Sequence, residues 1–200
     1  RGFRRVSRRI VLFDEVDGYP VGGAGTEGDQ IKLGMKRAEW YWNKKIVAGS
    51  TPTVEDFSRI EKLFKESDQR KYYVPCPECG EMQYFVWFNI KWQGNDVNTA
   101  SYCCKSCGVF IPHSKKRWMV ERGEWRATAE GNGKHVGFHI WAGYSYSPNA
   151  TWSNLAEEFL ASKDNPEQLR TFYNTVMGEV WQDEYESKVG ANALMDKASN

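Results

Sequence analysis

The sequence predicts an α/β fold: part of a parallel β-sheet with helices against it, an inserted four-cysteine metal ribbon, and a closing set of helices. Three observations carry that prediction. Ile10 to Phe13 is a short continuous apolar run that ends in the acids Asp14, Glu15 and Asp17, the pattern of a strand buried on both faces. Two C-x-x-C-G knuckles, Cys76 to Gly80 and Cys104 to Gly108, stand 24 residues apart. From Thr151 onward, apolar residues recur at helical spacing.

Two hundred residues with 14% aromatics and nine Trp exclude a disordered chain and suffice for one or two domains. The formal charge of +1 argues neither for nor against nucleic acid. Its distribution is uneven, because Arg1, Arg4, Arg5, Arg8 and Arg9 crowd the start; such a cluster can bind phosphate or serve as a solvated flank to the strand. No apolar run approaches a membrane span and no signal-peptide pattern is present, so an intracellular, soluble protein is expected. Five cysteines in two clusters then suggest a metal site more than disulfides.

The strand over Ile10 to Phe13 places its acids at the C-terminal end, the edge at which open α/β sheets bind ligands. A carboxylate there can hold the Mg²⁺ of a nucleoside triphosphate, and a second can orient the attacking water. Asp14 takes the metal-side role and Glu15 the water-orienting one; the competing reading is a strand running into an acidic loop. Gly18 to Gly25 is a glycine-rich connection without the Lys-Ser/Thr ending of a phosphate-binding loop, and nothing elsewhere in the chain supplies one. A triphosphate cradle is therefore expected outside these residues. Within Glu27 to Asn43, Ile31, Met35, Ala38 and Trp42 share a helical face, expected to pack on the sheet. Ile46-Val47-Ala48 reads as a second buried strand, ending in Gly49-Ser50-Thr51-Pro52-Thr53. Those small hydroxyl residues suit sensing of a γ-phosphate, or else form an ordinary turn with Thr53 as helix N-cap. Glu55 to Ser67 follows as an amphipathic helix; its Arg59 is either a charge-stabilising finger or a surface residue.

Tyr72-Tyr73-Val74 alternates into a strand that reaches the knuckles. The two-residue gaps let Cys76, Cys79, Cys104 and Cys107 face one ion, and Gly80 and Gly108 permit the turns that aim amides at sulfur. Four thiolates close a tetrahedral shell, so a Zn²⁺ here is structural. Cys103 is the spare, since only Cys104 reproduces the knuckle. Met82 to Trp87 and Asn89 to Trp92 suggest an antiparallel ribbon whose aromatics form a small core and docking face, or stack on DNA beside Lys91, Lys105, Lys115, Lys116 and Arg117. Ser114 to Arg122 reads as a short basic helix, Gly123 to Ala127 as a turn into a strand, and Val136 to Trp141 as a strand returning to the main sheet. His135 and His139 lack a third clustered ligand and are assigned to packing or hydrogen bonding. Trp152, Leu155, Ala156, Phe159 and Leu160 form one helix face. A second helix starts at Pro166, carries Leu169, Phe172, Tyr173 and Val176, and ends at Gly178. Gln182 to Asn200 reads as a linker.

Val11 to Asp17, then Gly49 to Thr53 and Ser58-Arg59-Ile60, resemble the ATPase region of the large terminase subunit of lambda-like tailed phages. The likeness continues through Tyr72 to Pro77, Gly137 to Ile140 and Asn174 to Trp181. The resemblance implies a partial P-loop NTPase sheet of the ASCE type, in which Asp14 and Glu15 belong to the Walker B segment and Gly49, Ser50, Thr51, Pro52 and Thr53 couple hydrolysis to DNA movement. It further implies an ATP- and Mg²⁺-dependent motor packaging double-stranded DNA with a small terminase subunit and a portal or procapsid. Such a motor works as a homo-oligomer in the host bacterial cytoplasm, away from membranes, and has an endonuclease further on. On that reading, residues 1–70 are the later half of the ATPase core and 71–112 the zinc ribbon. Residues 113–181 complete the ATPase region, and 182–200 lead toward the nuclease. Little ATPase activity is expected of these residues alone. A helicase-type translocase and a non-enzymatic zinc-ribbon nucleic-acid-binding module are the competitors: the first would need arginine-bearing motifs in a second domain, the second would keep ATP turnover when Glu15 is changed.

Overall fold

The computed structural model describes residues 6–20 and 28–182. The N-terminal arginines Arg1, Arg4 and Arg5, most of the glycine-rich connection and all of the expected linker but Gln182 lie outside the described residues. Among the described residues two apolar cores organise the fold, a small one near the N-terminus and a large aromatic one beyond residue 70.

Strand β1 (Ile10–Phe13) pairs in parallel with β2 (Lys45–Ala48), Ile10 opposite Lys45 and Phe13 opposite Ala48. The connecting helix α1 (Gln30–Lys36) is capped by Asp29, whose carboxylate accepts from the Lys32 amide. Helix α1 packs so closely that a Cβ on Gly34 would sit 2.5 Å from the Phe13 ring. Val11, Phe13, Val16, Ile31 and Ala38 form the small core. The expectation that the strand is buried on both faces needs correction: Ile10, Leu12 and Val47 are exposed, Leu12 at 68%. With period-two alternation, helices on one side of a strand pair cover only every second residue. The expected helical face is likewise trimmed. Ile31 and Ala38 are buried, whereas Trp42 is 95% exposed, because α1 stops at Lys36 and the chain turns before reaching it.

Helix α2 (Arg59–Lys65) is shorter than its periodicity suggests, and its N-cap is Ser58, not Thr53. Asp56 adopts a left-handed φ of 66°, which keeps the helix from starting until about one turn later than expected.

The second body is built on β3 (Arg70–Pro75). It pairs antiparallel with β4 (Met82–Tyr84) and, across its other edge, with β8 (Glu124–Arg126); the two-residue β9 (Phe138–His139) joins it in parallel. A separate antiparallel sheet runs β5 (Ile90–Gln93), β6 (Asp96–Cys103), β7 (Phe110–Pro112). The single ribbon expected between the knuckles is thus divided, its first strand going to β3 and its second to β6. The return strand joins β3 and not the β1–β2 pair. Alternation signals a strand but does not name its partner. A short turn at His113–Lys115 leads into α3 (Lys116–Val120), where the buried Lys116 donates to the Ala150 carbonyl.

Helices α4 (Trp152–Ser162) and α5 (Pro166–Thr171) are capped by Thr151 and Asn165, and α5 continues into a π-helical segment, Phe172–Met177, that Gly178 ends at φ 62°. Their apolar faces meet the ribbon directly. Phe85, Trp87, Ile90 and Tyr102 share one core with Trp152, Leu155, Leu169 and Phe172, and the Trp87 ring lies 5.0 Å from that of Phe172. The ribbon therefore does not rest on a minimal core of its own. Among the described residues no helix is long and apolar enough to cross a membrane.

Candidate functional site

The first site lies at the ends of β1 and β2. Parallel pairing in register brings Asp14 and Glu15 beside Gly49 and Ser50. The Gly49 amide donates to the Phe13 carbonyl at 2.9 Å, and the Val16 amide returns to Gly49 at 3.3 Å. Glu15 stands in the left-handed region, φ 49° and ψ 51°, a conformation costly for a non-glycine residue and frequent where a side chain is aimed for function. Its Oε2 is 3.4 Å from Ser50 Oγ, which is also 3.0 Å from the Thr51 carbonyl, so one hydroxyl proton serves two acceptors. Asp14 and Glu15 are both exposed, free to meet a ligand.

Asp17 is the residue that sequence reasoning passed over. One of its carboxylate oxygens accepts from the Thr53 amide and the Thr53 hydroxyl, each at 3.1 Å. The other accepts from the Ile60 amide at 2.8 Å, in the first turn of α2. Asp17 thereby clamps the β1 tip, the β2 tip and a helix start together. Only its place, two residues after Glu15, could have hinted at this. The same loop reaches the far end of the chain: Thr53 and Glu55 exchange backbone hydrogen bonds with Trp181, and Gln182 donates to the Glu55 carboxylate at 2.7 Å. Arg59 turns away from the acids, donating to the Pro20 carbonyl at 3.1 Å and lying 3.9 Å from Asp29.

The second site gathers the thiols of Cys76, Cys79, Cys104 and Cys107, whose sulfurs all lie within 4.8 Å of one another. Sulfur pairs 76/107 and 79/104 are 3.9 Å apart. Two thiolates on one tetrahedral zinc, each ~2.3 Å from it, stand ~3.8 Å apart, so this donor set can hold a metal. Gly80 and Gly108 take φ of 74° and 72°, and each donates its amide to the carbonyl of the cysteine that opens its knuckle. Buried Gln83 donates to Cys104 Sγ at 3.2 Å and accepts from the Lys105 amide, fixing the amide's orientation. Burial pushes the Cys76 thiol up to about 12; burial also works to raise Cys104, but the Cys107 and Ser106 amides and Gln83 together draw it down to about 6. Cys103 points elsewhere, its sulfur nearest the Cys104 and Gly108 carbonyls.

A third feature was not foreseen. Lys71, His139 and Glu179 line a cavity of about 210 Å³ between β3 and the end of the π-helical segment. His139 Nε2 lies 3.1 Å from the Met177 and Gly178 carbonyls, so it carries the proton. Nδ1 then accepts from Lys71 Nζ at 3.1 Å. Burial, then the Lys71 charge, hold His139 down at about 4. An unfolded histidine binds its proton near pH ~6.5, so between these values the unfolded chain holds more protons and stability falls as pH drops. His113, lowered by burial and by Lys116, adds in the same direction; Glu179, raised by burial although it faces Lys71, takes up its proton more readily in the folded chain and works in the opposite direction. Between pH 7.5 and 5.5 the His139 contribution to stability is expected to fall by about 1.4 kcal/mol. Thermal unfolding across that range should show a drop in midpoint that His139→Gln reduces.

Comparison with known proteins completes the picture. Residues 1–125 match the family described as the phage terminase large subunit gpA, ATPase domain, and residues 135–200 match the terminase large subunit gpA, endonuclease domain. The second match begins well upstream of the expected linker, inside the aromatic core that the ribbon shares. The terminase large subunit of Enterobacteria phage P21 is 33% identical over 98% of the chain, and that of Escherichia phage lambda 30% identical over 95%. The chain spans about a third of the length of these relatives, 34% and 32%. No solved structure matches. On these matches, the chain belongs to the gpA family of phage terminase large subunits.

Proposed function

We propose that the chain is part of the ATP-hydrolysing motor that packages double-stranded DNA into a phage procapsid. The observation that carries this reading is the convergence of Glu15 and Ser50 at neighbouring tips of two parallel strands, with Asp17 tying both tips to α2. Asp14 supplies a hard oxygen donor for Mg²⁺, which when bound neutralises phosphate charge. Glu15 accepts a hydrogen bond from the attacking water and orients it. Ser50 steadies the Glu15 carboxylate. Gly49 to Thr53 report the state of the phosphate site through the Thr53 and Glu55 contacts to Trp181, and so to the later body.

Zn²⁺ is the metal the four cysteines fit by donor type and spacing, in a structural role. Residues 1–70 supply the later half of the ATPase core, 71–112 the ribbon, 113–181 the remainder of that region and 182–200 a link onward. The exposed Leu12 and Val47 face fits a parallel sheet whose second face is covered by other parts of the subunit, which would carry the phosphate cradle. Partners are double-stranded DNA, a small terminase subunit, a portal and further copies in a ring, in the host bacterial cytoplasm. An endonuclease completes the activity.

Glu15→Gln in the full-length protein tests the central claim. Losing a water-orienting base costs roughly 10²–10⁴-fold, so ATP turnover should fall by at least 100-fold while a fluorescent ATP analogue still binds. Unchanged turnover would return Glu15 to an acidic loop and favour the non-enzymatic ribbon module.

A further inference from the structure

The cavity beside β3 has walls of unusual chemistry. Lys71 and Glu179 both line it, each mostly buried, and each feels the other's charge, yet no hydrogen bond or ion pair joins them among the described residues. Lys71 is held back by the neutral His139 ring and by the Phe64 face, 5.5 Å from Nζ. Two opposite charges withdrawn from water cost stability unless something bridges them. The remaining wall is aromatic, with Tyr84, Trp87 and Phe88 among its rings, and Phe88 is 41% exposed. Lys105 lies over the outer Tyr84 ring at 5.7 Å.

A flat polar ring meets these requirements. About 210 Å³ is smaller than the ~300–1,000 Å³ of sites for drug-sized ligands, but a fused heterocycle stacks well between aromatic side chains. A carboxylate offers only acceptors and an ammonium only donors. The ring must therefore present donors toward Glu179 and an acceptor toward Lys71. Guanine does this with the fewest groups unmet: N1–H and the N2 amine donate in parallel to the two carboxylate oxygens, and O6 accepts from the ammonium. Adenine and cytosine offer the carboxylate one donor group, and thymine a single N–H flanked by acceptors.

We propose that this cavity binds an unpaired guanine ring, read by Glu179 and Lys71 and stacked on the aromatic wall, with Lys105 placed near an attached phosphate. The ring can belong to a displaced DNA strand or to a free nucleotide. The strand source rests on the motor reading given above; recognition of the ring does not.

The test uses the full-length protein and fluorescence anisotropy with labelled dT oligonucleotides carrying one central dG, deoxyinosine, dA or dT. Deoxyinosine lacks only the N2 amine. Deoxyinosine forfeits one charge-assisted hydrogen bond to the carboxylate, so dG should bind at least tenfold more tightly than deoxyinosine. Glu179→Gln, of the same shape, should erase that difference, and Tyr84→Ala should weaken every oligonucleotide. Competition by dGMP separates the sources: displacement at equal affinity assigns the site to a free nucleotide, and weak displacement assigns it to a strand, guanine recognition standing in both cases. Equal affinity for dG and deoxyinosine, or a dG preference that survives Glu179→Gln, overturns the proposal. ATP turnover and duplex binding by the unmodified protein are measured alongside; their absence removes the motor reading and leaves the guanine result to be judged by itself.

Discussion

Cys76→Ser, or chelation of the proposed zinc from the unmodified protein, is expected to melt the helices packed on the ribbon together with the ribbon itself. Structural zinc sites of this type contribute ~10–16 kcal/mol of apparent binding free energy, comparable with or above the ~5–15 kcal/mol net stability of a whole domain. In a free-standing ribbon that loss would stay local. Here Cys76 and Cys104 lie in the same buried cluster as Tyr102, Trp152, Phe172 and Trp181, so releasing the knuckles removes the floor on which α4 and α5 rest. Far-ultraviolet circular dichroism during chelation should show one cooperative loss of helix, with about one zinc released per chain by a colorimetric indicator. Cys103→Ser should keep the metal, because its sulfur faces the Cys104 and Gly108 carbonyls. Retention of zinc in Cys104→Ser with loss in Cys103→Ser would show that the ligand set has been drawn one residue out of register.

Asp17→Ala is expected to lower ATP turnover of the full-length protein at least tenfold without touching Asp14 or Glu15. Asp17 accepts from the Thr53 amide, the Thr53 hydroxyl and the Ile60 amide. Hydrogen bonds to a charged group contribute ~1.5–3 kcal/mol each, discounted here for partial exposure, so about 3 kcal/mol of local stability should go. Freed of the clamp, the β2 tip drifts from the acids, and the geometry between Glu15 and Ser50 is no longer held. Amide hydrogen exchange at Thr53 and Ile60 should accelerate in step with the loss of turnover. Asp17→Asn, which keeps one acceptor, should fall between. Slow exchange preserved in Asp17→Ala would mean that the loop is held by other contacts and that Asp17 has no positioning role.

Much of the local structure was legible from residue type alone. Ile10 to Phe13 and Ile46 to Ala48 form strands, Pro166 opens a helix and Gly178 ends it, because each choice is decided within a few residues by sterics. The knuckles were legible for the same reason, since a two-residue gap and a glycine set the turn. Helix lengths were less so. Periodicity ran α1 on to Trp42 and α2 back to Glu55, yet a positive φ at Asp56 and a turn after Lys36 cut both short.

What the sequence by itself determined, then, was the inventory: two strands ending in acids and hydroxyls, four cysteines paired by spacing, and amphipathic helices behind them. Only the tertiary structure decided which of these meet. Strand pairing sent Met82–Tyr84 and Phe138–His139 to β3, packing merged the ribbon with the helices, and a parallel backbone bridge joined Trp181 to the segment around Thr53. The reason is physical: backbone hydrogen-bonding edges are nearly identical from strand to strand, so local residue type fixes that a strand forms but not its partner. The partner is chosen by burial summed over the whole chain, and a clamp such as Asp17 or a cavity shared by Lys71, His139 and Glu179 exists only once that choice has been made.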